Sequence, residues 1–132
     1  MALKTGGRLT IMKKVLIVDD SATIRQQASF ILNKEGYEVL EAQNGEEGLK
    51  TIEANTDLAF VILDINMPIM NGLEMLGKMR EVDAFNHIPV FVLTTEGDPK
   101  KIAEAKTKGA NGWMVKPFEP KVLVEIIGNF SQ

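Results

Sequence analysis

The chain has 132 residues, 15 of them basic and 18 acidic, for a net charge of −3, and it contains no cysteine. This length fits one domain that buries about two thirds of its unfolded surface without covalent staples, and the missing cysteines exclude disulfides, thiolate metal sites and cysteine nucleophiles. The acidic balance argues against a nucleic-acid surface, and the longest wholly apolar run, Leu58 to Leu63, is too short to span a bilayer; a cytoplasmic location is consistent with the absence of cysteine.

Residues 1–11 hold Gly6-Gly7 and scattered cations but no apolar stretch of a signal peptide. They read as a mobile tail, an upstream start or a leftover of cloning, so the domain is expected over residues 12–132. Val15 to Val18 is an apolar run without polar alternation, as in a parallel strand buried on both faces, and it ends in Asp19-Asp20-Ser21. Asp20 or Ser21 can cap a helix carrying Ile24, Ala28, Ile31 and Leu32, which Gly36 stops. Tyr37 to Ala42 predicts a second strand; after the turn at Asn44-Gly45, Leu49 and Ile52 face a second helix inward. Ala59 to Leu63, ending in Asp64, is the most apolar strand. Pro68 and Asn71-Gly72 mark a loop, and Leu73, Leu76 and Met79 recur at helical spacing. Ile88 to Leu93 predicts the fourth strand, ending in Thr94-Thr95. Asp98-Pro99 starts a helix that Gly109 ends. Trp113 to Val115 is the fifth strand, ending in Lys116-Pro117, and Pro120 opens a last helix with the stripe Val122, Leu123, Ile126, Ile127 and Phe130. Five strands alternating with five helices predict an α/β domain with a parallel sheet and helices on both faces.

The chemistry-bearing residues gather at one end of those strands. Asp19-Asp20 closes the first, Asp64 the third, Thr94 the fourth and Lys116 the fifth, and open α/β sheets bind ligands at the carboxyl ends of their strands. Three nearby carboxylates repel unless positive charge intervenes. Lys116 supplies one charge, and a hard divalent ion such as Mg²⁺, which takes carboxylates and phosphate oxygens, would supply two more. No glycine-rich nucleotide loop is present. A carboxylate nucleophile, a metal, a lysine and a hydroxyl suffice for phosphoryl transfer onto the protein itself. Repulsion also predicts that, without metal, Asp19→Asn or Asp20→Asn stabilises the fold.

The segments Val15-Leu16-Ile17-Val18-Asp19-Asp20-Ser21, Leu63-Asp64-Ile65-Asn66-Met67-Pro68, Met70-Asn71-Gly72, Leu93-Thr94-Thr95-Glu96 and Val115-Lys116-Pro117-Phe118 together resemble the receiver domain of two-component response regulators over about residues 13–130. Asp19 to Arg25 and Gly112 to Phe118 are most similar to the single-domain, CheY-like chemotaxis type. The resemblance implies a flavodoxin-like, doubly wound five-stranded parallel sheet of order 2-1-3-4-5. It implies phosphorylation at Asp64, with Asp20, Asp64 and the Asn66 carbonyl ligating Mg²⁺ (Mn²⁺ as a substitute) and Asp19 holding a metal-bound water. Lys116 and Thr94 would bind the phosphoryl oxygens, with Thr95 beside them. Thr94 and Trp113 would form the switch, and Asn66 and Glu96 would tune a fairly short phosphoryl lifetime, with bulky Thr95 narrowing access. The Lys116-Pro117 peptide would be cis.

The implied phosphodonor is a sensor histidine kinase or a histidine phosphotransfer protein, and a downstream target protein would read the face of the fourth helix, fifth strand and last helix. The chain would catalyse its own phosphorylation and dephosphorylation without being a turnover enzyme. Lys100, Lys101, Lys106 and Lys108 are either a solvated face or part of that docking surface, and His87, the only histidine, reads as solvated. A phosphorelay intermediate, a phosphate sink and a docking-only receiver are the alternatives within the family. An aspartyl phosphatase like the haloacid dehalogenases would place Asp-x-Asp after the first strand, and a flavin carrier would want a hydroxyl- and glycine-rich loop where Asp19-Asp20 stands.

Overall fold

The structure is a computed structural model and describes residues 2–5, 8–95 and 98–130. In chain order the elements are β1 (Ala2–Thr5), β2 (Arg8–Ile11), β3 (Lys14–Val18), α1 (Ala22–Lys34), β4 (Glu38–Ala42), α2 (Gly45–Ala54), β5 (Leu58–Asp64), α3 (Gly72–Glu81), β6 (Val90–Thr95), α4 (Pro99–Thr107), β7 (Gly112–Lys116) and α5 (Pro120–Phe130). Strands β3 to β7 form one parallel sheet in the order β4-β3-β5-β6-β7, the expected 2-1-3-4-5 counted within the sheet. The segment read as a tail contains an antiparallel hairpin, β1 against β2 with Ala2 opposite Ile11. Among the described residues it pairs with no strand of the main sheet.

The unalternating apolar strands are explained by burial on both faces. Along β3, β5 and β6, side chains point alternately to two separate cores. Val15, Ile17, Phe60, Ile62, Phe91 and Leu93 meet Ala28 and Leu32 of α1 and Leu123 and Ile127 of α5. Leu16, Val18, Val61, Leu63, Val90 and Val92 meet Ile52 of α2, Leu73, Met75, Leu76 and Met79 of α3, and Ala105 of α4. Helices therefore cover both faces, two on one side and three on the other.

Where expected boundaries shift, backbone hydrogen bonding gives the reason. The Tyr37 N–H bonds to the Leu32 carbonyl at the end of α1, so β4 starts one residue later. The Ile88 N–H is taken by Phe85, and Pro89 has no N–H, so β6 starts at Val90 although Ile88 is buried. Asn44 is more than a turn residue: it caps α2, accepting from the Glu47 N–H at 2.9 Å. The α5 stripe centres on Leu123 and Ile127, while Val122 and Phe130 stay about two-fifths exposed. The Phe130 ring nevertheless packs edge-on against Phe91, with centroids 5.2 Å apart.

Arg80 ties the far ends of the loops together. Its guanidinium donates to the carbonyls of Phe85, Asn86 and Gly109 and to Oδ1 of Asn111. Arg80→Met is expected to lower stability by about 1–2 kcal/mol, read as a lower urea midpoint. Arg80→Lys should recover less than half of it, because one ammonium cannot reproduce the planar fork. A midpoint unchanged in Arg80→Met would refute this role.

Candidate functional site

The site is built where β3, β5, β6 and β7 end. The Asp19 N–H continues the β3–β4 ladder onto the Ala42 carbonyl at 3.1 Å, which holds this residue in sheet geometry. Its Oδ1 accepts the Ser21 N–H at 2.9 Å. Ser21, the residue chosen as the α1 cap, in turn accepts the Ile24 N–H. Arg25 Nη1 donates to the Asp19 carbonyl at 2.7 Å, a support that the sequence reading did not single out.

Asp64 is the last residue of β5, opposite Leu93 of β6. Beyond it the chain turns sharply. The Ile65 N–H reaches the Leu93 carbonyl, and the Gly72 N–H returns to the Ile65 carbonyl at 2.9 Å. The start of α3 is thereby pressed against the end of β5. A Cβ on Gly72 would fall on the Asp64 carbonyl oxygen, far inside contact distance, so glycine is required here for close approach. Asn71 caps α3 in a reciprocal box with Glu74. The Asn-x-x-Glu spacing was a readable signal for this helix start, where the sequence suggested only a loop.

Asp19 and Asp64 are buried, Asp20 is exposed, and one carboxylate oxygen from each lies within 4.8 Å of the others. Lys116, the last residue of β7, places Nζ 2.8 Å from Asp19 Oδ2 and 3.3 Å from Asp64 Oδ1. The first contact is an ion pair without hydrogen-bond angles, leaving Asp19 Oδ2 buried with no hydrogen-bond partner. Burial pushes the Asp64 carboxyl up, the Asp19 charge pushes it further, and Lys116 and the Asn66 N–H only partly offset this, giving a pKa of about 6. Burial works against the Lys116 charge, but the close carboxylates of Asp19 and Asp64 outweigh it and hold its pKa above the usual lysine value.

Three carboxylates against one ammonium leave an excess of negative charge. With all-oxygen donors and an unsatisfied buried oxygen on Asp19, the cluster fits a hard divalent cation such as Mg²⁺. Thr94 ends up beside this cluster on β6, with its Oγ1 buried and without a partner. A buried hydroxyl left unsatisfied is unusual, and it is suited to an acceptor group that arrives later. Thr95 is exposed, opposite Lys116 in the β6–β7 register.

Asn66 is exposed, and its Oδ1 accepts from Lys101 Nζ at 2.7 Å. Trp113 stands outside the cluster on β7, two-fifths exposed, with Lys106 Nζ 4.3 Å from its ring centroid. Glu96 lies outside the described residues. His87 is exposed, as expected. Besides the contacts of Lys101 and Lys106, Lys108 just after α4 pairs with Glu104 and reaches the Leu73 carbonyl. The Lys116-Pro117 peptide is cis. A concavity of about 610 Å³ lies between Phe30 and Ile31 of α1 and Pro117, Phe118 and Pro120, and none of the three carboxylates lines it.

Fold and site together define a CheY-like signalling domain rather than a turnover enzyme. The chain belongs to the response regulator receiver domain family, which matches residues 15–128. It is 44% identical to chemotaxis protein CheY1 of Helicobacter pylori over 113 residues, covering 85% of this chain and 91% of that protein. It is 41% identical to a chemotaxis protein CheY homolog of Campylobacter jejuni, with 85% and 87% covered. The solved structure of chemotaxis response regulator CheY4 of Vibrio cholerae superposes with a TM-score of 0.85 at 41% identity, covering 91% of this chain and 99% of that one. A receiver domain implies a histidine kinase as partner. Among the described residues, no helix is long and apolar enough to cross a membrane.

Proposed function

We propose that this protein is a stand-alone response regulator that accepts a phosphoryl group on Asp64 and works in chemotaxis-type signalling in the cytoplasm. The observation that carries the reading is the convergence of three carboxylates, the Lys116 ammonium and the unpartnered Thr94 hydroxyl at the carboxyl edge of one sheet. Asp20, Asp64 and the Asn66 carbonyl would hold Mg²⁺ or Mn²⁺, with Asp19 on a bound water. The ion supplies positive charge against the transferring oxygens.

The chain's own residues do the rest. A carboxylate oxygen of Asp64 attacks phosphorus in line; the phosphorus–nitrogen bond to the donor histidine breaks, and the imidazole nitrogen leaves with the electron pair. Lys116 keeps an ammonium against the phosphoryl oxygens. Thr94 donates its free hydroxyl to one of them, with Thr95 at the rim. Movement of Thr94 opens space for Trp113 to turn inward, which repacks the face of α4, β7 and α5 that the target protein reads. Residues 12–132 are the receiver, and the paired strands β1 and β2 are an appendage to it.

The test is the intact mass after incubation with phosphoramidate, with and without Mg²⁺, beside Asp64→Asn. A single phosphoryl adduct that needs Mg²⁺ and is absent in the variant is the expected result. No adduct on the wild-type chain with any divalent ion would leave only the docking-only receiver.

A further inference from the structure

The loop after β5 and the first turn of α4 meet in one hydrogen bond. Lys101 Nζ donates to Asn66 Oδ1 at 2.7 Å across 35 positions of sequence. Both ends are anchored. The Lys101 N–H is held by the capping carboxylate of Asp98 at 3.3 Å, and the Asn66 N–H points back to the Asp64 carboxylate. A side chain on α4 thus reaches the reactive carboxylate through one intermediate residue. We infer that Lys101 is a positioning residue for the chemistry at Asp64, acting through the Asn66 amide to slow loss of the phosphoryl group; this rests on the phospho-acceptor reading above.

The argument is one of hydrogen-bond valence. The Asn66 amide has one acceptor oxygen and two donor hydrogens. The Lys101 ammonium has only donors, so it takes the oxygen and fixes which way the amide faces. What remains for the pocket is the NH₂ group. Hydrolysis forms a bond from a water oxygen to phosphorus and breaks the bond from phosphorus to Asp64, releasing the carboxylate and inorganic phosphate. The attacking water must point a lone pair at phosphorus while another group accepts its O–H. The NH₂ of Asn66 donates to that lone pair instead, and its oxygen, which could orient the water, is occupied by Lys101. Lys101 therefore withholds the acceptor that hydrolysis would use.

The measurement is the decay of the phosphoryl adduct, followed by intact mass after phosphoramidate is removed with Mg²⁺ present. Lys101→Met is expected to decay about fivefold faster than wild type, the equivalent of one ordinary hydrogen bond. Lys101→Arg, which keeps a cationic donor, should return to within about twofold of wild type. In an Asn66→Ala background, Lys101→Met should change nothing, because the residue it acts through is gone. A merely structural lysine would not give that pattern. Equal decay in Lys101→Met and wild type, or the same acceleration with and without Asn66, overturns the inference and leaves the phospho-acceptor reading intact. Failure of the wild-type chain to form any adduct overturns both.

Discussion

Gly72→Ala is expected to lower stability by about 3 kcal/mol or more, at the upper end of overpacking in well-packed proteins. The added Cβ meets backbone rather than a yielding side chain: the Asp64 carbonyl oxygen and carbon and the Ile65 Cα. The clash can be relieved only by lifting the first turn of α3 off the end of β5, which also breaks the hydrogen bond from the Gly72 N–H to the Ile65 carbonyl. Gly77 supplies the control within the same helix. A Cβ there meets only Lys108 Nζ at 3.8 Å, so Gly77→Ala should raise stability by about 0.5–1 kcal/mol through helix propensity alone. Urea midpoints of opposite sign for the two variants are expected. A Gly72→Ala midpoint equal to wild type would mean that α3 does not seat on Asp64 as described.

The second large effect concerns charge. In metal-free protein, Asp64→Asn is expected to raise stability at neutral pH by up to about 3 kcal/mol. The Asp64 pKa lies at about 6 in the fold, against 3.8 for the ordinary carboxyl. Between those values the native state binds more protons than the unfolded chain, so stability contributed by this group falls as pH rises through that window. Below it both states are protonated and the penalty disappears; above it the penalty is complete. The advantage of Asp64→Asn should therefore be full at pH 7.5 and absent near pH 3.5. Addition of Mg²⁺ should stabilise the wild type and narrow the gap at neutral pH, since the ion binds only the folded carboxylate cluster. A gap independent of pH, or one unaffected by Mg²⁺, would contradict the electrostatic cause. The charge-repulsion argument from sequence named Asp19 and Asp20 for this experiment. The structure moves the largest gain to Asp64, because Asp19 already has the Lys116 ammonium and the Ser21 N–H, and Asp20 is exposed.

Most of the fold was legible because each strand announces itself twice, by an apolar run and by the polar residue that ends it. Val15 to Val18 followed by Asp19, and Ala59 to Leu63 followed by Asp64, located both the layers and the edge where the carboxylates gather. What was not legible depends on contacts remote in sequence. Nothing near Lys101 indicates that its ammonium ends on Asn66, and nothing near Arg80 indicates the four groups it gathers. Gly72 read as a turn residue because composition cannot distinguish a glycine needed for its backbone freedom from one needed for its missing side chain. The α5 stripe was misjudged at Val122 and Phe130 for a related reason: an apolar helix offers more candidates than its buried arc can take, and α1 decides which are used. Residues 2–5 and 8–11 read as part of a mobile tail, yet their backbones pair as a hairpin.

The pleat of the central strands has an evolutionary consequence. Each strand sends alternate side chains into two different interiors, so a slip of one position would exchange both sets at once and carry Asp64, Thr94 and Lys116 away from each other. Selection on the interior would therefore preserve the carboxylate-bearing edge as a by-product, without separate constraints on the surrounding surface. Chains can differ at more than half of their positions and still share a backbone fold, as the TM-score of 0.85 at 41% identity with the Vibrio cholerae structure shows. The exterior is then free to diversify the partners that this edge addresses.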